Sequence, residues 1–195
     1  MSRFCGFGSL VPWVFAAEIG ANLNAMSATT HISEEQYLRS SFEPDAEYVD
    51  GEVRMRPMGT YDHGDWQQAI QRWFAEHSQE WNLRCISELR MRVKPGRYRI
   101  PDVMVLDRAN PKEQVITVPP LAVFEVLSPD DTVQELYEKL DDYAAMGIPQ
   151  IWVVDPKTSS FKQYTDACLR PATRFDLGAR GIQFDVSEIA GLLQD

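Results

Sequence analysis

The order of elements legible in this 195-residue chain predicts a single α/β domain, a mixed sheet flanked by helices rather than a doubly wound fold. Three observations predict it. At 44% hydrophobic and 25% charged residues, the composition suits one domain with a real core. Residues 65–81 and 132–146 carry apolar side chains at helical spacing. Between and after them lie short apolar or alternating runs of strand length. The core order is therefore helix, strand, strand, strand, helix, strand, without internal repeats.

Residues 1–25 stand apart, with only Arg3 and Glu18 charged before Met26. This stretch faintly resembles a secretory signal, although Pro12 interrupts its apolar run. The favoured reading makes Met26 the start, so 1–25 is expected to be an extension and 26–195 a single domain. Ser33-Glu34-Glu35-Gln36 is a capping pattern that opens a helix over 33–40. Residues 47–49 and 52–55 flank Asp50-Gly51, a hairpin signal. Trp66, Ile70, Trp73, Phe74, His77 and Trp81 make the apolar stripe of the helix over 65–81, and the aromatic residues there read as core.

Residues 87–94 alternate cleanly. Leu89, Met91 and Val93 face one way, and Glu88, Arg90, Arg92 and Lys94 the other. The turn Pro95-Gly96 leads into a strand over 98–106. Residues 121–127 form a buried strand that is apolar except for Glu125. In the helix over 132–146, Leu136, Tyr137, Leu140 and Tyr143 share one stripe, and Gly147 stops it. A buried strand at 151–154, a hairpin pairing 161–164 with 174–175, and a short helix at 187–193 complete the chain.

The net charge of −10 counts against a protein that lives on non-specific nucleic-acid affinity, though not against a local basic patch. Cys5, Cys85 and Cys168 are odd in number, widely spaced and without a CxxC pattern, which argues against a disulfide framework and a zinc site and suits a reducing cytoplasm. No apolar run approaches the roughly 20 residues of a membrane span. There is no Ser/His/Asp or Cys/His arrangement for covalent catalysis.

Two acids carry the chemistry. Asp102 opens the run IPDVMVL, and Glu125 lies inside LAVFEVL. An isolated carboxylate in an apolar strand is costly, so such a group is paired with a cation or holds a metal. Acids on neighbouring strands could converge on one hard cation, Mg²⁺ or Mn²⁺. Buried salt bridges remain the alternative for either acid alone.

Pro101-Asp102 followed by Glu125 resembles the PD-(D/E)XK nuclease superfamily, and more closely its Uma-type restriction endonuclease family. The resemblance runs from about Ile32 to Asp155. It rests on EYVDGE at 47–52, Tyr61-Asp62-His63, PDVMVL at 101–106, FEVLSP at 124–129, Lys139 with Tyr143, and GIPQIWVVDP at 147–156. It implies a restriction-endonuclease-like core with an N-terminal β-hairpin. It also implies metal-dependent hydrolysis of DNA phosphodiester bonds, with Asp102, Glu125 and Glu47 on the metal beside the Val126 carbonyl. Leu127 stands where the standard motif has its lysine, and Lys139 on the following helix takes that role. Glu135 replaces the family's usual Asp four residues earlier. From the residues alone, Glu135–Lys139 reads as an ordinary helix pair, and Glu47 as a solvated strand residue. His63 either contacts phosphate or caps the helix that follows it. Arg90, Arg92 and Lys94 form a basic ribbon that leads into Asp102, a candidate phosphate-binding face or simply a solvated one. DNA is the expected partner, a homodimer a candidate assembly, and the cytoplasm the expected location. The runner-up reading is a catalytically inactive nuclease fold that binds nucleic acid or a protein partner. A hydrolase of another phosphate ester is a further alternative.

Overall fold

A computed structural model describes residues 30–194 of the chain. The expected extension at 1–25 lies outside them. The first half contains β1 (Thr30–His31), α1 (Glu34–Arg39), β2 (Ala46–Val49), β3 (Glu52–Met55), α2 (Tyr61–Glu76), β4 (Leu83–Ser87), β5 (Met91–Lys94) and β6 (Arg97–Arg99). Then come β7 (Val103–Asp107), β8 (Ala122–Val126), α3 (Val133–Met146), β9 (Gln150–Asp155), β10 (Ser160–Thr165), β11 (Cys168–Pro171), β12 (Arg174–Leu177), β13 (Ile182–Asp185) and α4 (Ser187–Gly191).

The strands form three sheets. A five-stranded sheet has the order β1-β3-β2-β6-β5, a six-stranded sheet the order β11-β10-β9-β8-β7-β4, and β12 pairs with β13. β8 and β9 are parallel, joined by the α3 crossover that a parallel pair requires. The neighbouring pairs β7–β8 and β9–β10 are antiparallel, which makes the larger sheet mixed. The expected helix-strand-strand-strand-helix-strand core is α2, β4, β7, β8, α3 and β9, with β5 and β6 inserted between β4 and β7.

Strand alternation sorts the core. Val103, Val105, Phe124, Trp152 and Val154 pack against Trp66, Ile70 and Phe74 of α2 and against Phe175, Phe184 and Ile189. Met104, Leu106, Val123, Ile151 and Val153 face Leu140 and Tyr143 of α3. Glu125 shares the parity of Val123, so its side chain leaves β8 on the α3 side. The smaller sheet has its own cluster of Tyr37, Tyr48 and Tyr98 beneath α1.

Several boundaries differ from those the pattern predicts. α2 begins at Tyr61 because Thr60 caps it, its hydroxyl accepting from the His63 amide. It ends at Glu76, and Trp81 reaches the core from the turns that follow, stacked on His77. The single strand expected over 87–94 is two pieces in different sheets, broken at Glu88, whose φ is +53°. The strand expected over 98–106 is likewise split between sheets at Ile100-Pro101-Asp102, where Pro101 has no N–H for a ladder. The two breaks lie side by side, with the Glu88 amide donating to the Pro101 carbonyl at 3.2 Å. Near the C-terminus, β10 pairs with β11 rather than with Arg174-Phe175. Asp166 and Ala167 make that turn, both with positive φ, and Arg174–Leu177 pairs with β13 instead.

Candidate active site at the seam of the two sheets

Both chain breaks deliver side chains to one cleft of about 280 Å³, lined among others by Arg56, His63, Gln67, Asp102, Glu125 and Lys139. Asp102 follows the Pro101 break and is 2% exposed. Its Oδ2 accepts from the Val126 amide at 2.7 Å. Its Oδ1 pairs with Arg56 and lies 3.4 Å from His63 Nε2. Gln67 of α2 donates to its carbonyl at 2.9 Å. Burial alone would raise the Asp102 carboxyl, but His63 and Arg56 outweigh it and hold the group below the usual carboxylate range.

Glu125 is 4% exposed. Tyr143 donates to its Oε1 at 2.6 Å, and Lys139 Nζ lies 3.1 Å from its Oε2. Lys139 and Tyr143 are four residues apart on one face of α3, so both reach the same carboxylate. Burial, joined by the Asp102 charge, pushes Glu125 up to about 7 against the pull of Lys139. Burial would depress the Lys139 ammonium, yet Glu125, Glu47 and Asp102 together hold its pKa above the usual lysine value.

Glu47, on β2, is brought to Lys139 rather than into a three-acid group. Its Oε1 lies 3.5 Å from Lys139 Nζ and accepts from the Ile100 amide at 3.1 Å. Its Oε2 accepts from Arg99 at 2.8 Å. Both oxygens are therefore engaged, Oε1 by Lys139 and the Ile100 amide and Oε2 by Arg99. Among the described residues, no three His, Cys, Asp or Glu side chains form a metal-holding cluster. Asp102 and Glu125 remain, with the Val126 carbonyl. A strand residue's N–H and C=O point to the same side, so that carbonyl is directed to the side of Asp102. Two carboxylates and a carbonyl suit Mg²⁺, which binds through one or two carboxylates and keeps several waters. Burial is the main reason Glu125 is raised, and Lys139 pulls it down by more than the Asp102 charge lifts it.

His63 enters the site from the first turn of α2, its Nδ1 buried without a partner and its pKa raised by the hydrogen bond to Asp102. The basic ribbon is placed elsewhere. Arg92 is directly opposite Tyr98, so it shares the face that packs under α1. Arg90 is half-buried: its guanidinium lies 4.6 Å over the Tyr37 ring and donates to the Ser40 carbonyl at 3.0 Å. A register shift between Arg92 and Lys94 breaks the single polar face that the alternation predicts. Thr132 caps α3, its hydroxyl accepting from the Glu135 amide at 3.2 Å and donating to the Glu135 carboxylate at 2.6 Å.

Two site residues were not legible in the sequence. Arg99 is 2% exposed and links Glu47 to Asp142, its Nε 2.7 Å from Asp142 Oδ2. The signal that could have found it is Arg97 and Arg99 at strand period on one face of β6. Arg56, just past β3, carries no pattern that separates it from a loop residue.

The mixed α/β domain thus carries an acid–acid–lysine cluster at the seam of its two sheets. The chain belongs to the Uma2 family, described as "Putative restriction endonuclease", whose sequence profile matches residues 34–179. A crystal structure titled as a "putative nuclease belonging to DUF820" from Anabaena variabilis ATCC 29413 is similar over 83% of this chain and 99% of its own, with 18% identity and a TM-score of 0.71. At that identity the likeness speaks for the fold alone. A cryoEM structure of a DrdV–DNA complex aligns with 66% of this chain and 11% of its own at 18% identity, with a TM-score of 0.36 too low to argue from. No curated protein matches the chain. Among the described residues, no helix is long and apolar enough to cross a membrane.

Proposed function

We propose that the protein is a Mg²⁺-dependent endonuclease that hydrolyses DNA phosphodiester bonds. One observation carries the reading: Lys139 reaches from α3 to within 3.1 Å of Glu125, in the cleft that Asp102 lines. Asp102 and Glu125 would hold the ion with the Val126 carbonyl. Mg²⁺ bound there supplies a water of lowered pKa and positive charge against the phosphate. Lys139 stays protonated among its acids, so it orients the attacking water or donates to the phosphate oxygens. Glu47 and Tyr143 hold that lysine and Glu125 in register.

The reading of a fold that binds without cutting has one observation in its favour. Each carboxylate oxygen of Asp102 and Glu125 already faces a donor from the chain. Incubating supercoiled plasmid with the protein in Mg²⁺ or in EDTA decides between the two. Nicking by the wild type in Mg²⁺ only, absent from Asp102→Asn, is the expected result. An intact plasmid after wild-type incubation in Mg²⁺ and in Mn²⁺ would remove the cutting assignment.

A further inference from the structure

We propose that Arg56 is the built-in counter-cation of the ion site: it holds Asp102 in the metal-free protein, is displaced when a divalent ion binds, and is then received by the substrate phosphate. The proposal rests on the reading of Asp102 and Glu125 as ion ligands.

The geometry separates what can move from what cannot. The Arg56 backbone is pinned, its amide donating to the Asp45 carbonyl at 2.9 Å. The Asp102 carboxylate is pinned through Oδ2 by the Val126 amide. The guanidinium sits on the other oxygen, Oδ1. Its Nη1 also lies 3.6 Å from Glu88, whose side chain is 49% exposed. Arg56 thus straddles a buried acid and a half-exposed one, both lining the cleft. A short rotation about its own side chain exchanges one for the other.

Charge drives the exchange at Asp102. An ion shared by Asp102 and Glu125 needs lone pairs on the oxygens that now face Arg56 and His63 on one acid and Lys139 on the other. Like charges at contact inside a cleft repel strongly at a protein-like dielectric. A guanidinium cannot relieve this by losing its proton. It must leave Asp102, and its planar fork then lines the same cleft, matched to two phosphate oxygens. The ion alone leaves a displaced Arg56 served only by Glu88, and a phosphate alone competes with Asp102 for Arg56. The two ligands together satisfy every group, so each strengthens the other's binding reciprocally. This accounts for the closed arrangement of donors around the two acids: it is the resting state of the site.

Mn²⁺ is the probe, its free concentration read by electron paramagnetic resonance, with and without thymidine 5′-monophosphate, which offers a phosphate and nothing to cut. Arg56→Gln should bind Mn²⁺ about tenfold tighter than wild type without nucleotide. The nucleotide should tighten Mn²⁺ binding to wild type about fivefold or more and tighten it clearly less in Arg56→Gln, where only the ion meets the phosphate. Glu88→Gln should bind Mn²⁺ more weakly than wild type, because the released guanidinium loses its rim partner. Far-UV circular dichroism establishes that each variant is folded, and the exposed Glu88 arm decides should Arg56→Gln not fold. Equal Mn²⁺ binding by wild type and folded Arg56→Gln, or equal nucleotide coupling in both, overturns the role of Arg56 and leaves the ion site standing. No Mn²⁺ binding by either overturns the ion site and this proposal with it.

Discussion

Replacing Arg99 by methionine should destabilise the protein by about 3 kcal/mol. Methionine keeps much of the volume of the buried stem, so the cost is mainly electrostatic rather than a cavity. The guanidinium lies 2.8 Å from Glu47 and 2.7 Å from Asp142, and all three side chains are buried. Breaking a buried ion pair from one side costs about 3–5 kcal/mol, because the partner's charge stays behind. The low end applies here. Glu47 keeps Lys139 at 3.5 Å and the Ile100 amide at 3.1 Å, and Asp142 keeps Arg97 at 3.0 Å. For a domain of this size the loss corresponds to a fall of roughly 6–12 °C in Tm. Guanidinium unfolding followed by tryptophan fluorescence, in EDTA at neutral pH, measures it. In a double-mutant cycle, Arg99→Met with Asp142→Leu should cost less than the sum of the single changes by more than about 1 kcal/mol. A single-variant cost below about 1 kcal/mol, or strict additivity, would refute the picture of a mutually dependent buried network.

Other outcomes follow from the same geometry. Glu125→Gln should abolish Mg²⁺-dependent cleavage while keeping a cooperative unfolding transition; wild-type nicking by that variant would free Glu125 of its assigned role. Arg90→Gln should cost about 1 kcal/mol of stability, through the Tyr37 ring and the Ser40 carbonyl, whereas Arg92→Gln should stay within about 0.5 kcal/mol. The same denaturation series reads both. In an Asp102→Asn background, changing Arg92 and Lys94 to Gln should lower the salt slope of duplex DNA binding by about 0.9 for each phosphate they neutralise; an unchanged slope puts the DNA on another face. Glu138 is held below the usual carboxylate range: burial opposes this, but Arg54, Arg99 and Arg97 outweigh it. A lowered folded pKa contributes stability that is present above the unfolded value of about 4.3 and lost as pH falls through the folded value. Glu138→Gln should therefore be less stable than wild type at neutral pH, with the gap closing in acid. Urea midpoints at a series of pH values check the sign.

Local signals read the fold well where the physics is local. Ser33 and Gln36 form the capping box that their spacing announces, and Asp50-Gly51 makes its hairpin. Thr132 and Gly147 bound α3 as a cap and a left-handed stop. What escaped was the partner of each strand. Alternation over 87–94 and 98–106 fixes faces but not sheets, and a positive φ at Glu88, a non-glycine residue, leaves no trace in the pattern. The β10–β11 hairpin was hidden for the same reason, since Asp166-Ala167 lacks the usual glycine. In the site, Asp102 and Glu125 were legible because charge in an apolar strand must have a partner. Lys139 needed the family pattern, its helix phase alone being compatible with a surface pair to Glu135. Arg56 and Arg99 act through distant acids, and no local spacing encodes that.

The Ile100-Pro101 crossover also governs how this chain can change length. Arg99 is bound into the five-stranded sheet's ionic network and Asp102 to Val126 of the six-stranded sheet, with only two residues between them. An extended residue advances the chain by about 3.3 Å, more than the latitude of a hydrogen bond. One residue inserted or deleted there cannot satisfy both anchors, so the two sheets would lose their common register. The turn at Asp166-Ala167 joins β10 to β11 without such a double tether. Insertion scanning along the chain should divide sharply between these segments, with drift in length accepted at the outer turn and refused at the seam.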